Sequence, residues 1–269
     1  MSTMAVAVKT PAGKRERAPK TVVLFSGGMD SVIAWEMLGR PERVYVRIGA
    51  TYETRELLSL ERRGLDRGLT VVDGGEWLGP LAERDGHVPY RNLYFAVCAA
   101  AATGADRIVL GATAGETSGD KTRTFAAAAS RALSLAEARD VRLEMPFRHL
   151  TKRQLIERYM RAIGNLRAES VLRQCPTCYA KDLEPGTVGC GRCMSCVRRW
   201  QAFTLNGIEE RYMQPPWTAP MLQGFTEGLW RYLRRTPVRD WFGVARLNME
   251  LAYALQQQRM RQQRETEVW

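Results

Sequence analysis

Short apolar runs alternate along the chain with segments whose apolar residues recur at helical spacing. The first run, Thr21 to Phe25, is rich in β-branched and aromatic residues, and a Gly-rich turn and a predicted helix at Val32 to Leu38 follow it. Further strands are predicted at residues 43–48, 69–72 and 107–110, and further helices at 54–65 and 93–102. This order predicts a doubly wound parallel α/β sheet with right-handed crossovers and helices on both faces.

The predicted sheet also indicates where a ligand would bind. Sheets of this kind bind ligands at the carboxyl ends of their strands. We therefore expect a site formed by the loops that follow Phe25, Ile48 and Leu110.

The second half of the chain has a different organisation. A helix is predicted from Thr151, a good cap, to about Gly164, and a short helix at 197–205 carries Trp200 and Phe203 on its apolar side. A proline cluster then predicts a linker before two amphipathic helices at 225–233 and 242–255. We divide the chain into a disordered basic tail (1–20), an α/β domain (21–174), a cysteine-containing segment with a helix (175–212) and a helical C-terminal extension (213–269).

Composition narrows the class of protein. The chain of 269 residues is 45% hydrophobic and 26% charged, as in an ordinary globular protein. It has neither a run of about 18 apolar residues nor an apolar N-terminal stretch, so we expect a cytoplasmic protein without a membrane segment. The net charge of +11 is compatible with a polyanionic partner, although the excess is spread along the chain and no known nucleic-acid motif accompanies it. The net charge therefore leaves two interpretations open, direct contact with nucleic acid and an ordinary soluble basic surface.

The turn after the first strand has the sequence Ser26-Gly27-Gly28-Met29-Asp30-Ser31. Between a buried strand and a helix, backbone N–H groups and the positive end of the helix dipole converge on an anion, and glycines let its oxygens approach closely. The two serines add hydroxyl donors, whereas a carboxylate at Asp30 would repel phosphate unless it caps the helix or organises a magnesium ion. Taken alone, a Gly-Gly turn can also be no more than a turn.

The whole string, however, resembles the Ser-Gly-Gly-x-Asp-Ser loop of the ATP pyrophosphatases, which adenylate a substrate and release pyrophosphate. This resemblance implies ATP, with Mg²⁺, as co-substrate. The predicted nucleotide-binding residues are Phe25, Ser26, Gly27, Gly28, Met29, Asp30, Ser31 and Val32, and the predicted catalytic residues are Ser26, Asp30 and Ser31.

A cluster of cysteines predicts a metal site. Cys178, Cys190, Cys193 and Cys196 follow the spacing Cys-x11-Cys-x2-Cys-x2-Cys, and four thiolates favour a structural Zn²⁺ ion with no open position for substrate. Cys175 adds a fifth thiol, so a ligand set that begins with Cys175 stays open. Redox chemistry in the Cys-x2-Cys pairs is a competing interpretation, against which three closely spaced thiols after a fourth argue.

With the loop and this cluster, the chain resembles the 7-cyano-7-deazaguanine synthase family of queuosine and archaeosine precursor biosynthesis over about residues 21 to 209. The other matching segments are Val88-Pro89-Tyr90-Arg91-Asn92 (Val-Pro-Gly-Arg-Asn in the family), Leu150-Thr151-Lys152, Cys178-Tyr179, Cys190-Gly191-Arg192-Cys193, Ser195-Cys196, Arg199 and Ala202-Phe203. The resemblance implies an ATP pyrophosphatase fold and an ATP-dependent ligase. That ligase would convert 7-carboxy-7-deazaguanine and ammonia, through an adenylated carboxylate, to the nitrile with release of AMP and pyrophosphate.

Two stretches depart from the family pattern where the carboxylate substrate should bind. The family's Tyr-Gly-Gln-Arg-His stretch reads Ile48-Gly49-Ala50-Thr51-Tyr52, and the loop that continues Ser-Gly into Tyr-Pro-Asp-Cys-Arg-Pro-Glu-Phe is shorter here, at residues 118–125. Lys121 and Arg123 in that loop could bind a carboxylate or phosphates, or form a solvated basic loop. Arg91 and Asn92 could bind ligand or merely cap the next helix.

Three functions follow for testing. The first is the synthase reaction, and the second is a repurposed member that adenylates another deazaguanine or joins a deazaguanine to a macromolecule. The third is a non-catalytic, zinc-containing adaptor that binds nucleic acid, against which the intact phosphate loop argues. A homodimer is an expectation from the family alone.

Overall fold

Five parallel strands form the central sheet of this computed structural model, which describes residues 18–82, 88–116, 118–180, 183–222 and 241–267. The strands are β1 (Thr21–Leu24), β2 (Glu42–Arg47), β3 (Leu69–Asp73), β4 (Arg107–Val109) and β5 (Arg142–Glu144). The sheet order is β3-β2-β1-β4-β5, so β1 lies at the centre and the crossover direction reverses there. The predicted doubly wound parallel sheet is therefore confirmed.

Helices cover both faces of the sheet and continue beyond it. They are α1 (Met29–Met37), α2 (Glu53–Arg62), α3 (Arg91–Thr103), α4 (Arg123–Glu137), α5 (Lys152–Ile163), α6 (Asn165–Arg173), α7 (Met194–Thr204) and α8 (Trp241–Glu267). Across the described ranges, no helix combines the length and the apolar character needed to cross a membrane.

The alternation of side chains along each strand divides the core into two layers. Val23 of β1 and Val109 of β4 pack with α1, α5, α6 and α7, whereas Val22 and Ile108, their neighbours in sequence, pack with α3 and α4. This follows from the two-residue period of a strand, which directs successive side chains to opposite faces. Both faces of the central strands are thus buried, as their continuous apolar sequences predict.

A third, smaller cluster joins the C-terminal helix to the rest of the fold. Leu251 and Ala254 of α8 are buried against Val197 and Trp200 of α7. Trp200 also stacks at a tilt on Trp217, with ring centroids 5.6 Å apart. The buried Trp200 and Phe203 confirm the predicted apolar side of α7.

Three elements, α4, β5 and α6, were not assigned ranges from the sequence. The strand β5 has three residues and a single buried side chain, Leu143, which is too short for a period to be visible. The helix α6 begins directly after Gly164, the residue at which the predicted helix and α5 both end. The predicted helix at 225–233 and most of the predicted tail, residues 1–17, lie outside the described residues.

Candidate active site and metal centre

The turn between β1 and α1 has the geometry of an anion-binding loop. Gly27 adopts φ +73°, and a Cβ atom there would lie 2.5 Å from Leu60 Cδ2, so the turn requires glycine. Gly28 is the N-cap of α1, and the Ser31 hydroxyl donates to the Gly28 carbonyl at 2.8 Å. The first N–H groups of α1 have no partner within the helix, so they remain available to an anion beside the turn.

A cleft of about 440 Å³ opens above this turn at the carboxyl edge of the sheet. Parts of all three predicted loops line it, together with residues from α2, α3, α5, α7 and the segment around Pro176. Of the predicted nucleotide-binding residues, Phe25, Ser26, Gly28, Met29, Asp30 and Ser31 line the cleft, whereas Gly27 lies against Leu60 and Val32 is buried in the core.

A second glycine, Gly111, lets the loop after β4, the neighbour of β1 in the sheet, approach the phosphate loop closely. Gly111 follows β4, and a Cβ atom there would lie 2.9 Å from the backbone carbon of Asp30. No side chain fits between the two loops, so their backbones are in direct contact. The position after Leu110 is therefore brought to the phosphate loop as the sequence predicts.

Two lysines from different elements reach the phosphate end of the cleft. Lys152, the first residue of α5, places its Nζ 2.9 Å from Asp30 Oδ2, and Lys121 pairs with Glu116 at 2.5 Å. Burial alone would raise the pKa of Glu116, but the two lysines lower it to about 2. Glu116 is therefore ionised and paired with Lys121. With Arg198, three cationic side chains line this end of the cleft beside the two carboxyl groups of Asp30 and Glu116.

An aromatic cluster forms the other end of the cleft. Tyr52 and Tyr179 stack with ring centroids 4.9 Å apart, and Glu56 accepts hydrogen bonds from Tyr179 (2.6 Å) and Tyr45 (2.9 Å). Arg91 donates to the Tyr52 hydroxyl at 3.3 Å. Burial raises the pKa of Glu56, although the two phenol donors oppose this shift. This end can stack a flat ring and offer it a carboxyl group and a guanidinium.

The predicted substrate residues do not all reach the cleft. Arg91, Asn92 and Lys121 line it, and Asn92 Nδ2 donates to Asp120 Oδ2 at 2.7 Å, which ties α3 to the shortened loop. Neither Arg91 nor Asn92 caps α3, because the N-cap is Tyr90, in the left-handed region at φ +63°. Arg123 is exposed at the start of α4 and does not line the cleft.

Several cleft residues were not predicted as site residues. Lys152 was noticed as part of a motif, but its partner Asp30 is 122 positions away in sequence. Further examples are Tyr52, Glu56, Glu116, Tyr179 and Arg198, each of which lies on a different helix or loop. The departure at Tyr52 was the available signal, since it replaces a family residue in a loop expected at the site.

The four cysteine sulfurs form a compact cluster. Cys178, Cys190, Cys193 and Cys196 place their sulfurs within 4.8 Å of one another, with Cys193 Sγ 3.9 Å from Cys178 Sγ. Tetrahedral Zn–S bonds of about 2.3 Å put sulfurs about 3.8 Å apart, so the cluster fits such an ion. Backbone N–H groups of Ala180, Cys190 and Arg192 also point at the sulfurs, as expected of thiolate acceptors. The cluster could hold a metal ion, and its chemistry suggests zinc.

Cys175 lies outside this cluster. It is buried, and its thiol donates a hydrogen bond to the Val171 carbonyl at 3.4 Å and accepts one from Arg63 Nη2 at 3.4 Å. The same Arg63 donates to the Gly27 carbonyl at 2.8 Å, so Cys175 packs behind the phosphate loop. The alternative ligand set that begins with Cys175 therefore does not form in this structure.

The sheet order, the turn and the cleft define an α/β protein of the ATP pyrophosphatase class. Residues 80–207 match the sequence model of a family described as "Queuosine biosynthesis protein QueC". The chain is 32% identical to the 7-cyano-7-deazaguanine synthase of Methanosarcina mazei (72% of this chain, 98% of the relative) and 31% identical to that of Caulobacter sp. (70% and 90%). The Methanothermobacter thermautotrophicus synthase is 29% identical (71% and 97%). The chain therefore belongs to the 7-cyano-7-deazaguanine synthase family.

Proposed function

We propose that this chain is an ATP-dependent ligase that converts 7-carboxy-7-deazaguanine and ammonia to 7-cyano-7-deazaguanine. The carboxylate would be adenylated, attacked by ammonia to give the amide, and activated again to give the nitrile, with AMP and pyrophosphate released. The observation that carries the proposal is the phosphate loop at the carboxyl edge of β1, with Lys152 and Lys121 beside it. Membership of the family supports the choice of substrate.

The phosphate end would bind ATP and stabilise the departing pyrophosphate. The backbone N–H groups at the start of α1, with the hydroxyls of Ser26 and Ser31, would donate to phosphate oxygens. Lys152 and Lys121 would neutralise the charge that grows as the bond to AMP forms and the bond to pyrophosphate breaks. Asp30 would be a ligand of Mg²⁺ at the phosphate end, because Asp30 Oδ1 is buried without a hydrogen-bond partner among the described residues.

The aromatic end would bind the deazaguanine. Its flat ring would stack on the Tyr52–Tyr179 pair, and Glu56 would hydrogen-bond the polar edge of the ring. Arg91 and Asn92 would bind the carboxylate, because Arg91 contacts Tyr52 at this end and Asn92 contacts Asp120, the neighbour of Lys121 in sequence. We assign Arg123 no contact with substrate, since its side chain is exposed.

The cysteine cluster would hold Zn²⁺ as a structural ion. Its four thiolates would leave no open coordination position, so the ion would fix the segment that carries Tyr179 rather than take part in the reaction. Arg199 supports this role, because it links the helix after the cluster to the carbonyls of Cys175 and Leu172. The metal would thereby shape the aromatic end of the cleft.

Mass spectrometry of reaction products tests the proposal. Purified protein is incubated with ATP, Mg²⁺, ammonia and 7-carboxy-7-deazaguanine, beside a variant that carries Ser26→Ala and Asp30→Ala. The expected result is nitrile and AMP from the wild type and neither product from the variant. AMP that depends on the deazaguanine without any nitrile would favour a different final product or acceptor. Absence of AMP under all conditions would contradict the proposed reaction.

A further inference from the structure

The helix α8 lies beyond the residues that the family model matches, which end at 207. The Caulobacter sp. and Methanosarcina mazei synthases are covered over 90% and 98% of their own length by 70% and 72% of this chain, so more than a quarter of the chain lies outside these two matches. Nevertheless α8 packs against both walls of the phosphate end of the cleft. An addition in that position can influence the site.

The first wall is the loop after β4. Gly115 adopts φ +80°, and a Cβ atom there would lie 2.7 Å from the Leu247 side chain of α8. A Cβ atom at Gly243 of α8 would lie 3.2 Å from the backbone nitrogen of Gly115. The helix and the loop therefore meet backbone to backbone. The next residue of this loop is Glu116, the partner of Lys121 in the cleft.

The second wall is the first turn of α5. Glu250 Oε1 accepts a hydrogen bond of 2.7 Å from the Thr151 hydroxyl and lies 3.4 Å from Arg153 Nε, and Arg246 donates to Gln154 Oε1 at 3.1 Å. Thr151 is fully buried and is the N-cap of α5. Two residues of α8, Glu250 and Arg246, thus make three contacts with the N-cap and first turn of α5, the turn that begins with Lys152.

The bond to Glu250 settles the orientation of the Thr151 hydroxyl. A hydroxyl has one proton to donate, and Glu250 Oε1 is the acceptor of this bond. When Thr151 donates to Glu250, its lone pairs are directed to the Gln154 N–H, which it receives at 3.3 Å as the capping bond. Glu250 therefore reinforces the cap, and the cap fixes the direction in which α5 starts.

Docking of a helix does not require a carboxylate in this position. Glu250 Oε2 is buried and has no hydrogen-bond partner within the part of the chain that the structure describes, which is costly for a polar atom. Its side chain is 11% exposed and borders a small cavity of about 10 Å³ that Glu116, Lys152 and Arg198 also line. An apolar side chain would seal α8 onto the core at lower cost, so the carboxylate indicates a role beyond docking.

We propose that Glu250 is a positioning residue of the nucleotide site, which acts through Thr151 to hold Lys152 beside the phosphate loop. Lys152 is next to Thr151 in sequence, and its Nζ lies 2.9 Å from Asp30. A small rotation of the first turn of α5 would withdraw this cation from the phosphates, and a displacement of about 1 Å in such a group can lower the rate about 100-fold. This inference rests on the proposed function only in assigning the phosphate end to ATP.

Three variants test the inference in the full-length chain. Glu250→Leu removes the acceptor, Glu250→Gln keeps an oxygen for Thr151, and Arg261→Gln breaks another contact between α8 and the core, the ion pair with Glu209. We expect Glu250→Leu to lower kcat for AMP formation about 10- to 100-fold with a smaller change in KM for ATP. Glu250→Gln should recover most of this loss, and Arg261→Gln should behave as the wild type. Thermal unfolding should leave Glu250→Leu at least as stable as the wild type.

Calorimetric binding of a non-hydrolysable ATP analogue separates the two proposals. If the wild type binds the analogue but forms no AMP, the proposed reaction fails, and weaker binding by Glu250→Leu than by Glu250→Gln still supports positioning. Equal kcat and equal affinity for Glu250→Leu and the wild type would overturn the inference and leave the reaction standing. It would also be overturned if Glu250→Gln were as impaired as Glu250→Leu, or if the wild type bound no nucleotide.

Discussion

Lys152 Nζ lies 2.9 Å from Asp30 Oδ2, so a cation at the start of one helix neutralises the carboxylate inside the phosphate loop. Both side chains are mostly buried, at 18% and 19% exposure. An uncompensated Asp30 would repel phosphate, whereas the pair leaves the positive helix end and the free N–H groups to attract it. The pair also leaves Asp30 Oδ1 for another cation.

Lys152→Met should lower the rate of AMP formation about 100- to 1000-fold, because it removes a positive charge from the position where pyrophosphate departs and leaves Asp30 unpaired. Lys152→Arg keeps the positive charge on a planar guanidinium group, so its rate of AMP formation should fall less than that of Lys152→Met. A matched control is Lys20→Met, which removes a surface pair with Glu42 at the far end of the strands. Single-turnover kinetics measure the effect, and a rate for Lys152→Met within a few-fold of the wild type would contradict the role of this lysine.

Gly27→Ala should destabilise the protein and abolish ATP binding, because both its φ of +73° and the closeness of Leu60 exclude a side chain. The left-handed conformation alone costs a non-glycine residue about 1–2 kcal/mol. Gly39 is a matched control, since it adopts φ +79° and has nothing within 4 Å of the position that a methyl group would take. Urea unfolding and calorimetry should show a larger loss of stability for Gly27→Ala than for Gly39→Ala, and lost ATP affinity for Gly27→Ala alone. Equal losses of stability in the two variants would mean that the Leu60 side chain can move away from the added methyl group at little cost.

The phosphate loop and the cysteine set could be predicted because each is a local string. The turn from Ser26 to Ser31 can be recognised from six consecutive residues between a strand and a helix. The spacing of the four cysteines can likewise be read from the sequence without knowledge of the fold. The pair Tyr52–Tyr179 and the bond from Thr151 to Glu250 join distant positions, the latter 99 apart. No local period links such residues, so these parts of the site required the three-dimensional structure.

Arg199→Met should lower the free energy of unfolding by about 3–5 kcal/mol, since it leaves Glu210 charged and buried. The two side chains are each 1% exposed, with Nη2 and Oε1 2.6 Å apart. The double variant with Glu210→Met should lose less than the sum of the two single variants, because no uncompensated charge remains. The exposed pair of Arg142 and Asp140 is the control, and its Arg142→Met variant should change stability by less than about 1 kcal/mol. Urea unfolding decides, and additive losses at Arg199 and Glu210 would contradict the coupling.

Cys193→Ser should release the metal and destabilise the segment around it, because a hydroxyl is a poor replacement for a thiolate ligand. Cys175→Ser should retain the metal, since Cys175 lies outside the cluster and bonds to Val171. Elemental analysis of both purified variants, with thermal unfolding, measures the contrast. Full metal content in Cys193→Ser, or its loss in Cys175→Ser, would require a different ligand set.

Glu56 should make stability depend on pH in a direction that its burial determines. Burial raises the pKa of Glu56 in the folded protein above its ordinary value of 4.5, so the folded state binds the proton more tightly than the unfolded state. This tighter proton binding stabilises the folded protein fully below pH 4.5, and the contribution is lost as the pH rises through the pKa of Glu56 in the folded state. Relative to Glu56→Gln, which cannot ionise, the wild type should therefore lose stability from pH 4.5 upward and then level off.

Tyr179→Phe tests the cause of this pH dependence. The Tyr179 hydroxyl donates to Glu56 at 2.6 Å and favours the ionised carboxylate, so its removal raises the pKa of Glu56 further. The decline in stability should then extend to higher pH than in the wild type. Urea unfolding of the wild type, Glu56→Gln and Tyr179→Phe across this range measures both effects. Parallel pH profiles for all three proteins would show that folding does not raise the pKa of Glu56.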